Sequence, residues 1–165
     1  MQENYKYLDE IGEGKIGRII IGKLKIGVDL LDGIEELAGK EDIKTGVIIS
    51  GIGALEKGIF RNAKIMPPDY IMEDKYRLYV DIENPLELIS LSGWIASTRD
   101  GDINVHAHYS ATTVIDDKLV SLGGHLVTGT ITSIKVVVVI GEIEYTNIQA
   151  VLDPNINQVN IDFSG

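Results

Sequence analysis

An α+β domain, mostly antiparallel β-sheet with one principal α-helix, is the fold class this sequence predicts. Two observations point to it. Helical periodicity occurs convincingly in one stretch only, and nearly all the rest alternates β-branched runs with turn-forming residues. A third sets the scale: 165 residues, 44% of them hydrophobic and 24% charged, suit a single folded domain with its own core.

Taken in order, "KIGRIIIGKLK" (15–25) reads as a strand, interrupted at Gly22. "VDLLDGIEELAGKEDI" (28–43) is the helix: Leu30, Ile34, Leu37 and Ala38 recur at helical spacing, with Asp29 as N-cap and Gly39 as C-cap. The β-rich runs that follow are "GVIISGIGAL", "GIFRNAKI", "YRLYVDI", "LELISLSGWIA", "NVHAHYSATT", "LVSLGGHL" and "TSIKVVVVIGEIEY". Between them, residues 66–75 ("MPPDYIMEDK") are expected as a surface loop and residues 97–102 ("STRDGD") as a turn. "IKVVVVI" (134–140) is apolar on both strand faces, which predicts a central or interface-closing strand. The polar end, "LDPNINQVNIDFSG", is expected to drape irregularly over the surface or a neighbouring subunit. The chain thus divides into an N-terminal segment (1–15), a folded domain (16–147) and a C-terminal tail (148–165).

Charge and composition exclude several functions. Fifteen basic residues against 25 acidic ones leave a net charge of −10, and neither end of the chain reverses the sign. Duplex binding depends on Lys and Arg displacing counterions from phosphates, so no direct nucleic-acid binding is expected from the isolated domain. The absence of cysteine removes disulfides, thiolate metal sites and cysteine nucleophiles, so any metal must sit on His, Asp or Glu. The N-terminal residues lack an apolar signal core, and no apolar run approaches the ~20 residues of a spanning helix. A cytoplasmic protein without membrane association is expected.

All three histidines, His106, His108 and His125, fall within residues 104–126. A turn centred on Asp116-Asp117 would pair residues whose numbers sum to 233, which sets His108 opposite His125. Directly opposed residues of an antiparallel pair share a face, and His106 joins them through the two-residue strand period. Three imidazoles on one face suit a divalent ion, zinc above all. Gly123-Gly124 suits a bulge or a close approach of backbone or ligand; a bulge would turn His125 to the opposite face. Glu87, Asp100 and Asp102 are candidates for a fourth ligand, a supporting partner or a general base.

Other motifs carry less chemistry. "GIGALEKG" (51–58) lacks the G-K-[ST] ending of a phosphate loop, and turn or subunit packing explains its glycines better. Ser90 and Ser92 fit a solvated or hydrogen-bonded strand face better than a nucleophile, and Trp94 fits core or interface better than a stacking platform.

Together "SGIGALEKGIF" (50–60), "LELISLSG" (86–93), "NVHAHYS" and "GGHL" resemble, in that order, the plants and prokaryotes conserved (PPC) domain, also found in plant AT-hook nuclear proteins. The resemblance runs from about Ile16 to Tyr145. It implies a mostly antiparallel α+β fold assembled as a homotrimer, with a metal ion on His106, His108 and His125 as in some prokaryotic members. The family also carries a predicted DNA-binding label. The Arg-Gly-Arg-Pro hook that contacts DNA in the plant proteins is absent here, and the segment similar to their G-R-F-E-I-L motif reads Asn84-Pro85-Leu86-Glu87-Leu88-Ile89, without the glycine and arginine. Two functions follow. One is a soluble metal-binding homotrimer, with metal-assisted hydrolysis of an unidentified small molecule as its chemistry; the other is a non-enzymatic module of a DNA-associated or regulatory assembly.

Overall fold

A computed structural model of the protein describes residues 6–163. The elements in order are β1 (Lys15–Lys23), α1 (Leu30–Lys40), β2 (Thr45–Ala63), β3 (Arg77–Ile82), β4 (Leu86–Ser97), β5 (Ile103–Ile115), β6 (Lys118–Leu126), β7 (Ile131–Thr132), β8 (Val137–Glu144), β9 (Gln149–Asp153) and β10 (Gln158–Asp162). Every strand pairing is antiparallel, and α1 is the single α-helix among the described residues. The predicted fold class is the one observed.

Nineteen-residue β2 organises the sheet. Along one edge it pairs successively with β8 (Gly46 with Glu142), β7 (Leu55 with Thr132) and β6 (Arg61 with His125). Along the other it pairs with β4 (Thr45 with Ala96) and then β3 (Ala63 with Arg77). Because β5 bridges β4 and β6, the pairings β2–β4–β5–β6–β2 close on themselves, the last through the pairs Phe60–Leu126 and Arg61–His125. β1 lies outside, on β8. The glycines of residues 51–58 lie inside the continuous strand β2 and form no turn: Gly51 makes room for Leu91 and Gly58 for the Tyr109 hydroxyl.

The core lies within this closed arrangement. Leu55 and Phe60 of β2, Leu88, Leu91 and Ile95 of β4, and Tyr109 of β5 fill it, with Phe60 and Tyr109 stacked at a centroid distance of 4.5 Å. Each such buried side chain contributes on the order of 1.5–3 kcal/mol. Helix α1 adds Leu30, Ile34 and Ala38, the helical stripe visible in the sequence. Asp29 caps it as expected, its Oδ1 accepting from the Leu31 and Asp32 amides.

The other end differs from expectation. Gly39 lies in the last turn, and it is Asp42 that takes the left-handed conformation, with φ 55°. The amides of Asp42 and Ile43 then bond to the carbonyls of Gly39 and Ala38, closing a Schellman motif. Gly22 likewise does not interrupt β1; it pairs with Val138, and its missing side chain makes room for Leu37, whose Cδ2 would lie 2.4 Å from an added Cβ.

Residues 66–73 form the expected loop, ending in a short 3-10 turn at Asp74–Tyr76. Gly101, at φ 92°, closes the turn after β4. The expected irregular tail is instead an ordered hairpin, β9 against β10, from Gln149 paired with Asp162 to Asp153 paired with Gln158. In β8 one face is buried, at Val138 and Ile140, and the other, at Val137 and Val139, is partly exposed. Among the described residues no helix is long and apolar enough to cross a membrane.

Candidate metal centre

Two histidines owe their position to the alternation of β5. Val105, Ala107, Tyr109, Ala111 and Thr113 point inward and are buried, so His106, His108, Ser110 and Thr112 must point outward. A slip of one residue would expose Tyr109 and bury both imidazoles, so packing holds the register. The third histidine follows from the turn. Asp116 and Asp117 adopt φ of 49° and 56°, the positive pair a two-residue type I′ hairpin needs. The ladder then runs unbroken from Ile115–Lys118 to His108–His125. Gly123-Gly124 makes no bulge in it. Gly124 serves close approach instead: a Cβ there would lie 2.7 Å from the Asn62 side-chain nitrogen, and that nitrogen donates to the Gly123 carbonyl at 2.8 Å.

The three rings converge. His106 and His108 lie nearly parallel with centroids 5.4 Å apart, and His125 meets each edge-on at 4.7 and 5.1 Å. One ring nitrogen from each histidine can be chosen so that all three lie within 4.8 Å of one another, and the Nε2 atoms of His106 and His108 are 3.3 Å apart. Two ligands held at 2.0–2.1 Å by a tetrahedral ion are separated by about 3.3 Å, so this spacing fits a shared divalent cation.

The electrostatics fit as well. Burial, the His108 ring and the Arg61 charge lower the pKa of His106; burial and Arg61 lower that of His108. For His125 the same causes, burial first and then Arg61, His106, His108 and Arg77, push it to about 3. Neutral imidazoles keep a lone pair available, which is the state a metal requires.

Of the other sequence candidates, none joins the cluster. Glu87 pairs with Thr112, farther along β4, and Asp100 and Asp102 sit in the turn beyond it, where the Asp102 amide bonds to the Thr98 hydroxyl. Ser90 and Ser110 bond to each other at 2.9 Å across the strands, the hydrogen-bonded face expected. Trp94 is neither core nor interface filler alone: it pairs with His106, their rings 5.2 Å apart, and so restrains that imidazole.

Two residues escaped the sequence reading. Arg61 pairs with His125 across β2 and β6, and Arg77 begins β3 on the far side of β2. Burial and the Arg77 charge both lower the pKa of Arg61. Arg77 donates to the Gln158 side-chain oxygen at 2.8 Å, which ties the C-terminal hairpin over the site. The result is a cavity of about 310 Å³ with Arg61, Arg77, Asn104, His106, His125 and Gln158 among its walls. Their only shared sequence signal is that Arg61 and Arg77 are two of four arginines in an acidic chain.

Known proteins carry the same architecture. A metal-containing protein from Archaeoglobus fulgidus has 23% identity and a TM-score of 0.71, over 92% of this chain and 97% of its own. A plant- and prokaryote-conserved protein from Pyrococcus horikoshii has 26% identity and a TM-score of 0.72, over 91% and 95%. A candidate DNA-binding protein from Bacteroides thetaiotaomicron has 19% identity and a TM-score of 0.70, over 93% and 99%. No curated protein matches the sequence significantly. Residues 11–144 match the Plants and Prokaryotes Conserved (PCC) domain, which covers the helix, the sheet and all three histidines, and the chain therefore belongs to that family.

Proposed function

We propose that the protein binds one divalent ion, zinc first among them, through His106, His108 and His125, and works as a metal-dependent catalyst on a small molecule. The observation that carries this reading is the convergence of three ring nitrogens within 4.8 Å on neutral imidazoles. A metal-containing relative of the same fold adds support. An ion on three neutral ligands supplies Lewis acidity at an open coordination position, the chemistry of metal-assisted hydrolysis. The protein's own part is to orient the ligands: Trp94 restrains His106, and the β5–β6 ladder fixes His108 against His125. The hairpin β9–β10 limits access of bulk water from one side.

Assembly belongs to the same proposal. Ile19 and Ile21 of β1, Val137 and Val139 of β8, and Ile49 and Ile52 of β2 form an outward apolar face, with Ile21 68% and Ile52 64% exposed. A face of this kind favours burial between copies of the chain, and a homotrimer in the cytoplasm is the assembly we propose.

Metal analysis of protein purified without an affinity tag tests the reading. About one ion per chain is expected, lost from both His108→Ala and His125→Ala while the fold persists, because an Ile- and Val-rich core does not depend on an ion as a zinc finger does. Equal metal content in wild type and His125→Ala would refute it.

A second reading is a non-enzymatic module of a DNA-associated or regulatory assembly, favoured by the candidate DNA-binding protein of the same fold. The net charge of −10 argues against direct contact with duplex, so this reading needs a separate DNA-binding partner. Failure to retain duplex in a gel shift at about 150 mM salt is expected of the isolated protein.

A further inference from the structure

Two arginines meet beside the histidine cluster. Arg61 enters from β2 beside His125, and Arg77 enters from β3. Both line not only the cavity of about 310 Å³ but also a neighbouring cleft of about 180 Å³ that opens onto all three imidazoles. The nearby carboxylate, Asp74, offsets their charge in part, and the Tyr79 hydroxyl also favours the charged form of Arg61. Asp74 stands 4.0 Å from the Arg77 guanidinium and accepts a hydrogen bond from the Tyr79 hydroxyl at 2.7 Å. No ion pair to Arg61 occurs among the described residues. Holding two guanidiniums close together in a partly buried site costs mutual repulsion, in a chain whose net charge is −10. An anion held between the two guanidiniums would offset that repulsion.

From this we infer that Arg61 and Arg77 form the anion-binding half of the site, and that the small molecule it takes carries an oxyanion, a carboxylate or a phosphate, which the guanidiniums hold against the histidine cluster. The planar N–H forks of arginine match either group, and a charge-assisted contact of this type is about twice as strong as a neutral one. Asn104 and Gln158, which also line the cavity, offer the polar groups that would orient the remainder of the molecule. A cavity of this volume suits a ligand of metabolite size and is far too small for a duplex. The inference draws part of its positive charge from the metal reading, but the arginine pair is present without the ion, and that separates the two experimentally.

Calorimetric titration of the full chain with inorganic phosphate and, separately, with succinate gives the test, using zinc-loaded and chelator-treated protein. One of the two anions is expected to bind, and the one that does identifies the oxyanion. Arg61→Gln and Arg77→Gln should each weaken it at least about tenfold, the loss expected for one charged hydrogen bond. Both variants should keep the wild-type metal content, a readout independent of activity. Arg61→Lys, which retains charge but not the fork, should fall between wild type and Arg61→Gln, and serves if the glutamine variant does not fold. Binding of neither anion by wild type in either metal state overturns the inference, as does binding unchanged in both glutamine variants. Arginine-dependent anion binding by protein that takes up no zinc would sustain it and refute the metal reading alone.

Discussion

Gly93→Ala should loosen the support beneath the histidine cluster. Gly93 of β4 pairs with Ala107 of β5, the inward residue between His106 and His108. A Cβ at this position would lie 2.2 Å from the His106 carbonyl oxygen and 2.7 Å from the Ala107 Cα. Both are backbone atoms, so the strands must separate; no side chain can rotate away. Over-packing costs typically about 1–3 kcal/mol, and a clash with backbone belongs at the upper end of that range. Against it stands the gain of about 0.4–1 kcal/mol from a less flexible unfolded chain. The net expectation is a loss of about 2 kcal/mol, and at about 2–4 °C per kcal/mol for a chain of this size the melting temperature should drop by about 4–8 °C. Gly123→Ala is the matched control. Its nearest neighbour would be the Tyr109 carbonyl oxygen at 3.5 Å, an ordinary contact, so the unfolded-state gain should survive and raise the melting temperature by about 1–4 °C. Thermal unfolding followed by circular dichroism, at one protein concentration and with chelator present, compares the two. If Gly93→Ala melted at or above the wild type, or if both variants fell together, the close approach of β4 to β5 would be wrong, and with it the geometry assigned to His106 and His108.

Three further outcomes follow from other parts of the molecule. In metal-free protein His125 has its pKa depressed to about 3, below the 6.5 of an unfolded histidine, so its neutral ring contributes stability that is complete above 6.5 and is lost as pH falls from there towards 3. Denaturant titrations at about pH 7.5 and 5 should therefore show a larger loss for wild type than for His125→Gln; equal losses would mean that His125 titrates normally. Asp29→Ala should cost about 2 kcal/mol in the same assay, the upper end for an N-cap, because its second carboxylate oxygen also accepts from the Gly129 amide. Ile21→Glu should break the proposed trimer into smaller species by light scattering, whereas a wild type that is already monomeric at micromolar concentration would remove the interface assigned to the β1–β8–β2 face.

The histidine trio was legible because it depends on local rules. Two aspartates that tolerate positive φ set the turn, the two-residue period of strands sets the faces, and the pairing of His108 with His125 follows by counting outward from Asp116-Asp117. Helix α1 was legible for the same reason, since its stripe and its Asp29 cap lie within one short segment. Where a glycine's role depended on a distant neighbour, the local reading failed at Gly22, which accommodates Leu37, while at Gly124 it gave close approach as one of two alternatives without naming Asn62 or Arg61 as the neighbour. The C-terminal segment read as irregular because its polar residues advertise no core-facing stripe, yet it pairs with itself and reaches Arg77 through Gln158. Arg61 and Arg77 show the limit most clearly. Neither belongs to a motif, and they meet the histidines only because β2 continues past β4 to pair with β6 on one edge and β3 on the other. Registers between strands far apart in the chain are set by the packing of Phe60, Tyr109 and Leu91 into one core and by no turn chemistry. Local rules therefore placed the metal-ligand candidates, and the tertiary fold alone decided which charges surround them.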